Sequence, residues 1–187
     1  QRQMCIRDRL CVGWDSLRSC YNLKNIGNAF LLERQWDSAC YYYQQALPIA
    51  FPLNNSGLLS VIYKNMATLY NEQNKFVDAD TCISKALDYL SEGEGYTAAC
   101  SIKGDIMDKM NKKDSAVYYW GIGTGSSNVY VKTSSYHSLF LESKRMKDWE
   151  RSTLYADSFM TFYDSIQIMN DRAAVSYTHL TLPTKLE

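Results

Sequence analysis

The chain has 187 residues, of which 46% are hydrophobic, 13% aromatic and 21% charged, and its formal net charge is zero. This length and hydrophobic content are sufficient for one globular domain, and the hydrophobic content is too high for a disordered chain. No segment approaches the roughly 18 apolar residues of a membrane helix, and the balanced charge gives no electrostatic footprint for nucleic acid.

The two ends of the chain are complementary at the level of codons. The first eight residues, QRQMCIRD, can be encoded by codons whose reverse complement encodes VSYTHLTL, which is residues 175–182. The pair also resembles the two translated strands of a sequencing-library adapter. We therefore expect residues 1–9 and 175–187 to be non-native read-through, and residues 10–174 to be a native piece of a longer, metagenomic bacterial protein.

The segment after residue 20 predicts two amphipathic helices separated by a polar break. In the first helix, apolar or small residues recur at intervals of three and four, the spacing of one helix face: Leu23, Ile26, Gly27, Phe30 and Leu31. The break ERQWD leads into a second helix, DSACYYYQQAL. Pro48 and Pro52 predict where that second helix ends, because proline interrupts helical hydrogen bonding.

The same pattern recurs along the chain. Gly27 aligns with Ala67 and Gly104, and a large residue follows sixteen positions later in each copy, namely Tyr43, Ile83 and Trp120. A weaker fourth copy centres on Tyr136, Leu139 and Phe140. Each second helix is opened by an aspartate that can accept free backbone N–H groups: Asp37, Asp78, Asp114 and Asp148. The four units span about 20–54, 60–93, 97–126 and 130–166.

This pattern resembles the tetratricopeptide repeat (TPR). The resemblance implies an all-α fold, an α-solenoid of about four helix-turn-helix repeats stabilised by stacking of neighbours. It also implies a protein–protein interaction scaffold that has no catalytic activity, needs no cofactor and binds a peptide or partner protein in a concave groove. The first helix of each pair would line that groove.

Three polar residues match a subclass of the family that binds a C-terminal carboxylate. Lys24 and Asn28 stand where that subclass has lysine and asparagine in its first repeat, and Asn65 matches the asparagine of its second repeat. A lysine and two amides suit a carboxylate. The third repeat departs from the pattern, with Ala98 and Ile102 in place of two basic residues. We expect alanine at Lys24 or Asn28 to weaken partner binding without unfolding the chain.

Other chemistry is not indicated. His137 is the one histidine between residues 10 and 174, and it has no neighbours at metal-ligand spacing, so we expect neither a metal site nor a catalytic site. Five of the six cysteines lie in that segment without a C-x-x-C pair, and we expect them to be structural thiols. The glycine-rich run at 121–126 follows a helix rather than a strand, which indicates a flexible loop rather than a phosphate site. The aromatic runs at 41–43 and 118–120 indicate packing.

Two further functions stay open at this point. Tyrosine-rich repeats followed by FYDSIQIMNDR are similar to the sensor portion of bacterial signalling or transcription regulators, whose membrane and output domains would lie beyond residue 174. An enzyme with an accessory repeat domain would also carry its motifs elsewhere. Unpaired thiols favour the cytoplasm, whereas a membrane-tethered sensor would place the array in the periplasm. Uncapped ends of a cut array would favour self-association.

Overall fold

The computed structural model describes the backbone of residues 2–181 and the side chains of residues 15–172. Over that backbone the chain forms eight α-helices and no β-strand, which confirms the all-α class. The helices are α1 (Arg2–Leu32), α2 (Trp36–Ala50), α3 (Ser56–Glu72), α4 (Phe76–Asp88), α5 (Glu94–Lys109), α6 (Lys113–Gly123), α7 (Val129–Arg145) and α8 (Trp149–Thr181), with a 3₁₀ turn at Phe51–Leu53 after α2. The segments 1–9 and 175–187, predicted to be adapter-derived, lie outside the residues whose side chains are described.

The helices pair into four hairpins whose turns have the same backbone geometry. Each turn has three residues, and its middle residue is left-handed, with φ between 58° and 61° (Arg34, Asn74, Asn111 and Lys147). The N–H of the next residue then closes the turn by donating to a carbonyl five positions back, at 2.9–3.0 Å in all four hairpins. This is a common way to satisfy the free carbonyls at a helix end. The turns recur at intervals of 40, 37 and 36 residues, the same intervals as the sequence alignment.

The hairpins pack in chain order. The second helix of each hairpin contacts the first helix of the next one, through the pairs α2–α3, α4–α5 and α6–α7. The first helices also contact one another in sequence, through α1–α3, α3–α5 and α5–α7. The helices α1, α3, α5 and α7 therefore form one continuous surface, which we call the first-helix face.

Small residues on the first helices accommodate large ones on the second helices. Tyr43 is fully buried against Gly27, and Trp120 is 4% exposed against Gly104. At the corresponding positions of the second hairpin, Ala67 and Ile83 are both fully buried. These pairs set the distance between the two helices of each hairpin, because a larger residue at the small position would push the ring away.

The structure differs from the sequence expectations at a few helix positions. Pro48 lies inside α2, which continues to Ala50, and the chain leaves the helix only at the 3₁₀ turn that contains Pro52. Pro48 lacks the N–H that would donate to the carbonyl of Gln44, and the burial of Ala46 and Ala50 on either side of it can offset the loss of that one bond. Ile26 is 40% exposed, since Gly27 rather than Ile26 faces Tyr43.

The four aspartates also differ in role. Asp148 precedes α8 and accepts the backbone N–H of Arg151 at 3.1 Å. Asp37, Asp78 and Asp114 lie one or two residues inside the first turns of their helices, and there they complement the helix dipole. Asparagine provides the side-chain cap elsewhere, with Asn55 preceding α3 and Asn128 preceding α7.

Among the described residues, no helix combines the length and the apolarity that a bilayer crossing requires.

Candidate peptide-binding groove

The two asparagines singled out in the sequence are in direct contact. Asn65 Nδ2 on α3 donates to Asn28 Oδ1 on α1 at 2.6 Å, and the buried hydroxyl of Tyr43 donates to the same oxygen at 2.8 Å. The oxygen of Asn28 is therefore occupied by two protein donors, whereas its Nδ2 donates to no group among residues 15–172. A ligand that offers an acceptor would meet this free amide N–H.

The burial of Tyr43 fixes one end of this network. Desolvation raises the pKa of Tyr43 to about 12, so the phenol stays protonated and remains a hydrogen-bond donor across the neutral range. The carboxamide of Asn28 is thereby held between α1, α2 and α3. The site is pre-organised, because its polar groups are positioned by hydrogen bonds within the protein.

Lys24 lies one helical turn before Asn28 on α1. Its ammonium is 5.5 Å from the centroid of the Tyr21 ring. It forms no ion pair with a carboxylate among residues 15–172, in which the ion pairs involve other lysines and arginines. The structure thus brings Lys24, Asn28 and Asn65 to neighbouring positions on α1 and α3, with a positive charge and a free amide donor.

The sequence analysis did not identify a second lysine at this site. Lys64 precedes Asn65 on α3, and it is half-buried. Burial and the charge of Lys24 both lower the pKa of Lys64. The available signal was its register position: Lys64 stands three residues before Ala67, as Lys24 stands three residues before Gly27.

A second polar region of the first-helix face contains two ion pairs. A cavity of about 420 Å³ lies between α3, α5 and α7, and its lining includes Asn71 and Asp105. Asp108 pairs there with Lys113, and Glu142 pairs with Arg145.

Asp105 is the remaining carboxylate of that cavity, and it accepts the indole N–H of Trp120 at 2.8 Å. Desolvation raises its pKa. This second region therefore contains two ion pairs, whereas neither Lys24 nor Lys64 pairs with a carboxylate among residues 15–172.

The third hairpin does not supply the two basic residues of the carboxylate-binding subclass. Ala98 and Ile102 are apolar and partly buried. The nearby Lys103 is directed into the contact with α4, where its ammonium donates to Ser84 at 2.8 Å and lies 3.6 Å from Asp80. Lys103 is thus engaged within the protein.

The histidine, cysteines and aromatic runs considered in the sequence analysis lie in the following surroundings. His137 is exposed and lies against Phe159, with 4.9 Å between ring centroids. Within residues 15–172 the cysteines are all free thiols, namely Cys20, Cys40, Cys82 and Cys100. No three potential metal ligands form a cluster among these residues. In each aromatic run the first ring is exposed and the third is buried, as the helical spacing predicted.

The loop after α6 already holds a carboxylate of the protein itself. Glu94, the first residue of α5, accepts the Ser126 hydroxyl at 2.8 Å and the Asn128 backbone N–H at 2.9 Å, together with both the N–H and the hydroxyl of Ser127. These bonds lower the pKa of Glu94 to about 2. These hydroxyl and backbone donors are therefore occupied. The flexible loop predicted at 121–126 is shorter than expected, because its first three residues belong to α6, which ends at Gly123.

Compared with known families and curated proteins, the chain matches no family model and no curated sequence.

Proposed function

We propose that the chain is a protein–protein interaction scaffold, a TPR-type α-solenoid of about four helix pairs that binds a peptide or partner protein along the first-helix face. Four turns of equal geometry, and first helices that contact one another in order, support a repeat array. In such an array the first helices line the concave groove, and an extended peptide crosses several of them.

The observation that carries this proposal is the amide and lysine site between α1 and α3. Asn28 and Asn65 are hydrogen-bonded to each other, and Lys24 lies one turn away with no carboxylate partner among residues 15–172. A protein gains nothing in stability from leaving a positive charge unpaired beside a pre-organised amide. The same arrangement would bind an anionic group of a partner through charge-assisted hydrogen bonds.

The test is a selection from a randomised dodecapeptide pool, followed by affinity measurement of the enriched peptides by fluorescence anisotropy. We expect Lys24→Met to weaken binding by about tenfold or more, since one charge-assisted bond is lost. Lys75→Met is the matched control, because Lys75 precedes α4 in an exposed turn and lies away from the site.

Asn28→Ala is expected to affect stability as well as binding, which the sequence did not indicate. It removes the acceptor of the buried Tyr43 hydroxyl, so it should also lower the stability by about 1–3 kcal/mol. Its binding must therefore be compared at a temperature well below its melting transition. The selection is run on the wild-type chain and on the Lys24→Met variant. If the wild-type chain enriches no peptide more strongly than the variant does, the proposed groove is contradicted.

A further inference from the structure

Lys24 on α1 and Lys64 on α3 both lie within one helical turn of the contact between Asn28 and Asn65. Lys24 and Lys64 occupy the same register position on neighbouring helices, and the bond between Asn28 and Asn65 fixes those helices at this point. The charge of Lys24 lowers the pKa of Lys64. The packing of α1 on α3 thus brings the two lysine positions together.

This arrangement is unfavourable in the protein alone. Lys64 loses hydration by partial burial and is repelled by Lys24. Neither ammonium forms an ion pair with a carboxylate in the part of the chain with described side chains, residues 15–172. A partly buried cation beside a second cation, without a counter-ion, indicates a place where an anion binds.

We propose that Lys24 and Lys64 together hold a phosphate monoester of the partner, a phosphorylated side chain, with the free Nδ2 of Asn28 donating to one of its oxygens. This inference rests on the proposed function, because the phosphate is presented by a peptide in the groove. Two lysines match the charge of about −1.5 to −2 that a phosphate monoester carries near pH 7, whereas one carboxylate leaves a lysine unpaired. Lysine serves as a point charge for phosphate and needs no bidentate geometry.

The first test separates charge from shape. Phenyl phosphate and phenyl sulfate have similar tetrahedral groups, but the sulfate ester carries a single charge. We expect the wild-type chain to bind phenyl phosphate at least about tenfold more tightly than phenyl sulfate, because only the dianion satisfies both lysines. In Lys64→Met this preference should vanish. Equal affinity for the two esters in the wild-type chain would overturn the proposal.

Lys85→Met is the matched control for these variants. Lys85 is an exposed lysine on α4 whose ammonium lies 5.5 Å from the Tyr63 ring, much as that of Lys24 lies over Tyr21. Its removal should leave the affinity for phenyl phosphate unchanged. Lys64→Met should keep or raise the melting temperature, since it removes a desolvated charge, so its loss of binding would not be due to unfolding.

The second test identifies the source of the phosphate. A randomised peptide pool with a central phosphoserine is compared with the same pool carrying serine and with inorganic phosphate. We expect the phosphoserine peptides to bind at least about tenfold more tightly than either, and to lose that advantage in Lys64→Met. Equal binding of inorganic phosphate would overturn the assignment to a partner's side chain.

The two proposals fail in different ways. If unphosphorylated peptides bind through Lys24 and phosphorylation adds nothing, the dianion site is wrong and the groove stands. If no peptide binds at all, whatever its charge, the groove itself is wrong.

Discussion

Gly104 leaves the space that the indole of Trp120 fills. A methyl group at Gly104 would lie 2.5 Å from Cδ1 and 2.6 Å from Nε1 of that ring, well inside van der Waals contact. The same relationship joins Gly27 to Tyr43, where the corresponding distance to Cε1 is 2.7 Å. The absence of a side chain at these two positions lets α1 and α5 approach the helices that follow them.

Gly104→Ala should therefore lower the free energy of unfolding by about 1–3 kcal/mol, because the buried ring cannot move without displacing its neighbours. Urea denaturation measures this change. Gly121→Ala is the control, since nothing lies within 4 Å of a methyl group there and α6 should gain up to about 1 kcal/mol from the better helix former. Equal effects of the two substitutions would contradict the packing argument.

The turn residues give a prediction of opposite sign. Lys147 has a φ of 61°, a conformation in which a side chain costs about 1–2 kcal/mol and glycine does not. We expect Lys147→Gly to stabilise the fourth hairpin by about 0.5–1 kcal/mol in thermal denaturation. Asn111→Gly should gain less stability, because asparagine tolerates this conformation. Lys147→Ala should gain none, because alanine still has the Cβ atom that makes the conformation costly.

Glu94 makes the packing of α5 against the loop before α7 dependent on acid pH. The hydrogen bonds from Ser126, Ser127 and Asn128 lower its pKa from 4.5 to about 2. The bonds require the ionised carboxylate, so their contribution is complete above pH 4.5 and is lost as the pH falls from 4.5 towards 2. The protection factors of the Ser127 and Asn128 amides, which are exchange rates corrected for the intrinsic effect of pH, should fall over that interval.

Glu94→Gln is expected to reduce the protection of these two amides at neutral pH and to remove its acid dependence. Glu92→Gln, at an exposed position in the segment just before α5, should behave like the wild type. An unchanged acid profile in Glu94→Gln would show that another group controls this loop.

Tyr43 makes the stability of the chain depend on pH in the alkaline range. Its pKa is raised to about 12 in the folded chain, mainly by burial, against 10 for an exposed phenol. Between pH 10 and 12 the unfolded chain loses a proton that the folded chain keeps, so the stability due to Tyr43 falls as the pH rises through this window. Tyr43→Phe should lack this component and should be about 0.5–1.5 kcal/mol less stable at neutral pH, through loss of the bond to Asn28. Tyr41→Phe, at a ring that is 57% exposed, is the control, and urea denaturation at a series of pH values is the measurement.

Much of the fold follows from short-range pattern. The spacing of small and large residues, such as Gly27 with Tyr43, indicated both the helices and their pairing. It could do so because the contact joins residues sixteen positions apart across a three-residue turn. The position of Pro48 was mispredicted, since the local preference of proline does not include the tertiary burial of Ala46 and Ala50, which can offset the hydrogen bond that proline loses.

The candidate site was predictable only in part. Lys24, Asn28 and Asn65 were found through a known pattern, but the hydrogen bond between the asparagines depends on how α1 packs on α3. Lys64 belongs to no such pattern, and its proximity to Lys24 is a property of that packing. The direction of Lys103, towards Asp80 and Ser84, likewise depends on the contact between two hairpins and leaves no trace in local sequence.

The order in which the hairpins contact one another affects how the chain can be synthesised. Cys20 donates to the carbonyl of Ala46, a separation of 26 residues, and the principal helix contacts join each helix to the next or to the next but one. Closing such short loops loses little chain entropy and is fast. Each hairpin can therefore close soon after its second helix leaves the ribosome, and it then offers a surface on which the next hairpin can form while translation continues.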